Sequence, residues 1–129
     1  MNTNRLKIKK AYSIVIRTLG TGGVKYKRLL DSIKLQTLPP QNVYVIIAEG
    51  YSLPSDRLGY EKFIYTKKGM WHQRVFGLEY ASLQDPENYL LVLDDDLSFE
   101  ANYAEKSLEC MMQNNIDVLI TGLSTERSI

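Results

Sequence analysis

Apolar residues in this chain fall into five short runs divided by stretches of a different rhythm. Tyr12-Ser13-Ile14-Val15-Ile16 is rich in β-branched residues and closes at Gly20-Thr21-Gly22-Gly23. Val43-Tyr44-Val45-Ile46-Ile47-Ala48 follows Pro39-Pro40 and ends at Glu49-Gly50. A weaker run, Phe63-Ile64-Tyr65-Thr66, precedes Lys67-Lys68-Gly69. Tyr89-Leu90-Leu91-Val92-Leu93 leads straight into Asp94-Asp95-Asp96. The fifth run spans residues 117–121, with Val118, Leu119 and Ile120 at its centre before Gly122. Unbroken apolar runs this short predict strands buried on both faces, the habit of parallel sheets.

Between the runs the period changes to that of a helix. Tyr26, Leu29, Leu30 and Ile33 sit at i, i+3, i+4 and i+7, and Pro39-Pro40 sets a limit beyond which that helix cannot run. Trp71, Val75, Leu78 and Ser82 share one stripe, flanked by Phe76, Tyr80 and Leu83, and Asp85-Pro86 ends it. Leu108, Met111 and Met112 mark a third helix over about residues 101–113. Strands alternating with helices predict an α/β fold of three layers, α/β/α, around a mostly parallel sheet. Right-handed crossovers then cover both faces with helices and gather the carboxyl ends of the strands along one edge.

Composition narrows the class. The 129 residues suffice for one domain, and 44% apolar with 24% charged residues is the balance of a folded, soluble chain. Sixteen Lys and Arg against fifteen Asp and Glu give a net charge of +1, so no bulk field draws the chain to nucleic acid or an anionic membrane. A single cysteine, Cys110, excludes an intrachain disulfide and a cysteine-ligated zinc site, and it fits a cytoplasmic location. Arg5, Lys7, Lys9 and Lys10 imitate the start of a signal peptide, but the apolar stretch that follows stops at Arg17, too short for one. No window approaches the ~20 apolar residues of a membrane span.

Candidate chemistry lies at the carboxyl ends of the strands, where open parallel sheets bind ligands. Arg17, Thr18, the Gly20–Gly23 loop, Glu49, Thr66 and Asp94 to Asp96 fall there. The acidic triplet is the strongest signal: three adjacent carboxylates repel one another, which raises their pKa values or calls in a cation. Oxygen donors of this kind favour Mg²⁺, Mn²⁺ and Ca²⁺ over zinc. An Asp serving only as a helix cap is the plain alternative. Gly20-x-Gly22 could offer amides to a phosphate, yet Lys25 stands where a dinucleotide fingerprint needs its third glycine, and a plain turn into a helix is the preferred reading of the loop. His72 has no second histidine or serine nucleophile beside it and reads as a structural or surface residue. Arg74 is placed either to reach a phosphate or to make an ordinary salt bridge.

Together these motifs resemble the amino-terminal half of a family 2 glycosyltransferase, a nucleotide-sugar enzyme of GT-A type. Ser13-Ile14-Val15-Ile16-Arg17-Thr18 is similar to the family's first strand, with Arg17 where many members have proline. Leu29-Leu30-Asp31-Ser32-Ile33 with Gln36-Thr37 and Pro39 resembles its first helix and the turn after it. Gln73-Arg74 with Gly77-Leu78 and Ala81 looks like an arginine-bearing helix motif, although Val75 replaces its asparagine. Leu93-Asp94-Asp95-Asp96 matches the D-x-D signature. Glu49 stands for the usual aspartate after the second strand.

The resemblance implies a GT-A-like donor domain, residues 1–129, of a hexosyltransferase-type enzyme whose acceptor-binding half and general base lie elsewhere. It implies little or no turnover from these residues alone. A nucleoside-diphosphate sugar would meet Thr18, Glu49, Arg74, Asp94 and Asp95, while Asp96, assisted by Asp94, would hold Mn²⁺ or Mg²⁺. The acceptor would be a glycan, lipid or protein, and a longer parent chain would work in the cytoplasm or at the cytoplasmic face of a membrane. Apolar surface left open by a missing half makes self-association an expectation. Two rivals stand beside this reading. Asp94-Asp95-Asp96-Leu97-Ser98 partly fits the motif of haloacid-dehalogenase-like phosphotransferases, with Asp94 as nucleophile. A non-catalytic nucleotide-binding or interaction module would use the same pocket.

Overall fold

The structure, a computed structural model, describes residues 11–115. It contains β1 (Tyr12–Thr18), α1 (Gly23–Lys34), β2 (Asn42–Ala48), β3 (Lys62–Thr66), α2 (Met70–Gln84), β4 (Tyr89–Asp94) and α3 (Tyr103–Gln113). The run at residues 117–121 lies outside the described residues. The four strands form one parallel sheet in the order β3-β2-β1-β4. The chain therefore builds outward from β1 in one direction, then returns to place β4 on the other side. Ligands of open α/β sheets bind in the crevice where the order reverses, here between the carboxyl ends of β1 and β4.

Period-two alternation divides the core. Ile14 and Ile16 of β1 with Val43, Val45 and Ile47 of β2 pack against Tyr26, Leu29, Leu30 and Ile33 of α1 and Ala104 and Leu108 of α3. Val15, Tyr44 and Ile46 point the other way, toward Ala81, Phe76 and Tyr80 of α2. Helices thus cover both faces, and the three-layer α/β/α expectation holds. The central strands β1 and β2 are buried almost throughout, as unbroken apolar runs predict. The outer strands differ from that expectation. β3 and β4 are only partly covered, and Val92 is 37% exposed, because each is an edge of the described sheet.

The second helix turns a different face to the sheet than its apolar stripe suggests. Its buried residues are Gln73, Gly77 and Ala81, while Trp71, Val75 and Leu78 face solvent, Trp71 being 72% exposed. Close packing explains the inversion. A Cβ on Gly77 would stand 2.7 Å from Val15 Cγ1 and 2.9 Å from Ile46 Cγ1, so the helix rests on the sheet where a glycine permits it. A larger side chain cannot stand at Gly77, and Trp71, Val75 and Leu78 are left on the open side of the helix.

Two polar networks tie the layers. Gln36, buried after α1, donates to the carbonyls of Ser32 and Glu100 and accepts from the Ala104 amide, while the Thr37 amide donates to the Ala101 carbonyl. The Gln-Thr pair therefore pins the segment that follows the acidic triplet. At the opposite edge, Asp85 does more than stop α2. Its carboxylate accepts from Ser13 Oγ (2.6 Å), Tyr44 OH (2.8 Å) and Asn42 Nδ2 (3.1 Å), joining β1, β2 and the α2–β4 turn. Burial pushes the Asp85 pKa up, but the three donors and the charge of Lys62 outweigh it and hold it below the ordinary value.

Asp85→Ala should cost about 3 kcal/mol, because three donors lose a charged acceptor at once. A carboxyl with a depressed folded pKa stabilises above its unfolded value of ~3.9 and ceases to do so as pH falls through the folded value. The parent's advantage over Asp85→Ala in urea midpoint should therefore be full at pH 7 and shrink at pH 3. An equal gap at both would remove the ionised hub.

Candidate functional site

The site is set by the last residues of β1 and β4, which are register partners. Arg17 lies opposite Asp94 across the switch point. Both side chains emerge on the α2 side of the sheet, and α2 contributes Arg74 to the same place. Arg74 Nη2 donates to both Asp94 oxygens, at 2.7 and 2.9 Å, and Arg17 Nη2 reaches Asp94 Oδ1 at 3.4 Å. The Arg74 guanidinium also lies 5.4 Å from the Trp71 ring centroid.

The three acids occupy three environments. Burial raises the Asp94 pKa, yet the hydrogen bond and charge of Arg74, joined by those of Arg17, prevail and hold it below the usual carboxylate value. Of the two outcomes expected of adjacent carboxylates, a raised pKa or a recruited cation, Asp94 takes the second: two guanidinium groups from distant parts of the chain outweigh its burial. Asp95 Oδ2 accepts a 2.7 Å hydrogen bond from Thr18 Oγ1, on the far side of the sheet from Arg74. Asp96 is exposed and meets no hydrogen-bond or ion-pair partner among the described residues. Those residues bring together no group of three or more His, Cys, Asp or Glu side chains able to hold a metal ion. A cation at Asp96 would need oxygens from a ligand, which is how Mg²⁺ is commonly held.

Gln73, one residue before Arg74 and 1% exposed, fixes the helix to the strand ends. Its Nε2 donates to the carbonyls of Thr18 (3.0 Å) and Ile46 (3.1 Å), and its Oε1 accepts from the Gly69 amide (3.2 Å). The sequence offered Gln73 only as part of a motif. Its sign, a polar residue on the line of Gly77 and Ala81, is legible once the buried face is known.

The remaining candidates sit along the same edge without converging. Glu49 is exposed beyond β2, with its amide donating to the Thr66 carbonyl. Thr66 Oγ1 pairs with His72 Nε2 at 3.0 Å, in keeping with a structural reading of that histidine. The Gly20 amide donates to Thr18 Oγ1, and a Cβ on Gly20 would run into the Ser52 carbonyl oxygen at a backbone φ of +84°. That amide is spent within the turn, which favours the loop as a tight entry to α1 over a phosphate cradle. An Asp94 nucleophile would have to leave the guanidinium that bonds both its oxygens, so the phosphotransferase rival gains no support here.

An α/β domain with polar residues at its switch point is the class that fold and site define. No protein-family model and no curated protein sequence matches the chain. Among solved structures the chain is similar to S. aureus TarS, a glycosyltransferase, with a TM-score of 0.57 and 15% identity over 81% of this chain. The fold is accordingly an α/β fold like that of a glycosyltransferase, of GT-A-like form. The chain spans about a fifth of the length of TarS, 20% of which is covered. Among the described residues no helix is long and apolar enough to cross a membrane.

Gln73→Glu should destabilise the domain by about 3 kcal/mol at pH 8, since an ionised oxygen would face two carbonyls. Burial raises the pKa of such an acid, so protonation at pH 5 should restore part of the loss. Urea midpoints of variant and parent at the two pH values check this. A gap that does not change with pH would contradict the buried contact.

Proposed function

We propose that this chain is a donor-binding domain of a glycosyltransferase of family 2 type, taking a nucleoside-diphosphate sugar together with Mn²⁺ or Mg²⁺. The observation that supports the reading is the acidic triplet at the switch point, its first member Asp94 bonded by Arg74 of α2, in a fold shared with a glycosyltransferase. Donor binding, not turnover, is the activity proposed for these 129 residues. Acceptor recognition and the general base are assigned to other parts of a longer protein.

Within that proposal each residue has a chemical task. Asp96, exposed and without a partner among the described residues, holds the cation with the donor's phosphate oxygens. When bound, the cation supplies charge neutralisation for the leaving diphosphate. Asp95 lines the edge in an orientation fixed by Thr18. Glu49 offers an acceptor to a base N–H at the end of β2. Arg74 faces the donor from α2, its guanidinium flanked by Trp71.

Thermal unfolding with UDP, GDP, CDP and dTDP, each with and without Mn²⁺, tests the reading. One diphosphate at about 100 times its dissociation constant with Mn²⁺ should add ~2.7 kcal/mol, and clearly less at the same concentration without metal. Asp96→Asn should abolish the metal-dependent part, whereas Glu109→Gln, on the exposed side of α3, should leave it intact. Equal losses in the two variants, or no stabilisation by any nucleotide, would overturn the proposal.

A further inference from the structure

Asp94 gathers more positive charge than it neutralises. Two guanidinium groups share one carboxylate, so the trio carries a net charge of one, partly withdrawn from water: the side chains of Arg17, Arg74 and Asp94 are 17%, 26% and 33% exposed. Hydrogen-bonding capacity is also unevenly used. A guanidinium offers five N–H donors in a planar fork. Arg74 bonds both Asp94 oxygens through one nitrogen, Nη2, which leaves its other nitrogens without hydrogen bonds among the described residues. Arg17 makes one long contact, and its Nε is buried with no acceptor. A buried donor left unbonded is unfavourable, and an anion that draws the side chain into new hydrogen bonds would relieve that cost.

Position adds to this. The trio stands at the carboxyl end of β1, on the α2 side, while Asp96 ends the triplet exposed on the same edge. An anionic group lying along that edge would meet guanidinium donors on one side and the Asp96 carboxylate, with whatever cation it holds, on the other. Guanidinium pairs match the oxygens of phosphate groups in both charge and geometry.

We propose that Arg17 and Arg74, held side by side by Asp94, form a receptor for the diphosphate of the donor, in which Asp94 positions the two guanidinium groups. The inference rests on the donor-binding reading and adds Arg17 to it, the residue at which the first strand departs from the family it resembles. Asp94 acts here as an anchor for cations, which leaves Asp96 as the carboxylate for a metal ion. The receptor binds diphosphate without a divalent cation, and more weakly than the complete site does with one.

Trp71 is the chain's single tryptophan and lies against Arg74, so its fluorescence reports on that guanidinium. The 129-residue chain, in excess chelator, is titrated with inorganic pyrophosphate. A saturable fluorescence change is expected, weakening as salt rises. Arg17→Gln should reduce pyrophosphate affinity at least tenfold, the size of one charge-assisted hydrogen bond. Arg17→Lys, which keeps the charge and loses the fork, should fall between. Asp94→Asn, which removes the anchor, should also weaken binding and serves if Arg17→Gln does not fold. Far-UV circular dichroism and urea midpoints separate folding from binding. An unchanged pyrophosphate affinity in a folded Arg17→Gln protein would overturn the inference, as would no saturable change in the parent. Nucleotide stabilisation that needs Asp96 and metal but ignores Arg17 would leave the donor reading standing and remove this one. Pyrophosphate binding through Arg17 with no nucleotide preference would keep the receptor and remove the donor reading.

Discussion

Parallel pairing of β1 with two neighbours at once is the constraint on which the rest of the structure depends. β2 lies on one side of β1 and β4 on the other, and this reversal of strand order opens the crevice. The register then decides what the crevice contains. With Ile16 opposite Leu93, Arg17 must stand opposite Asp94. A slip of one residue would send every β4 side chain to the other face, moving Asp94 away from Arg74 and Leu93 out of the core. The apolar alternation that buries Leu93 and the ion trio at the strand end are thus one condition. The register that buries Leu93 is also the one that brings Arg17 and Asp94 together.

The second helix closes the arrangement through its smallest residues. Gly77 lets the backbone of α2 approach Val15 and Ile46, and one turn earlier Gln73 hydrogen-bonds the carbonyls of Thr18 and Ile46. These anchors fix both height and rotation of the helix, and Arg74 is carried to Asp94 as a result. The same rotation exposes Trp71, Val75 and Leu78. An apolar stripe on the open side of a helix is therefore a consequence of how the helix is held from below.

These features also explain what was legible in the sequence. β1, β2 and α1 were readable because their burial is carried by apolar side chains, and periodicity detects apolar side chains. The strand-end location of the polar residues followed from topology alone. The face of α2 is not readable in the same way: its buried line is Gln73, Gly77 and Ala81, whose burial rests on hydrogen bonds at the first and on small size at the other two. Asp85 likewise reads as a helix stop, because its partners Ser13, Asn42 and Tyr44 are more than forty residues away in sequence. Nearest-neighbour reasoning placed three repelling acids at the site. It could not weigh Arg17, 77 residues before Asp94, or Arg74, 20 residues before it.

Consecutive identical residues acquire different roles because a strand alternates its faces until it ends. Asp94, still in β4, is directed to the α2 side, where two guanidinium groups keep it ionised. Asp95, the first residue past the strand, turns to the opposite side and is fixed by Thr18, the last residue of β1. Asp96 lies in the turn, where no strand neighbour reaches it. Charge compensation thus falls off along the triplet as the sheet runs out: two cations for the first acid, one hydroxyl for the second and solvent for the third. A divalent cation at the proposed site would have to compete with arginine for Asp94, with a hydroxyl for one oxygen of Asp95, and with water alone for Asp96. Of the three, only the last offers both carboxylate oxygens without breaking a contact that the fold has already made.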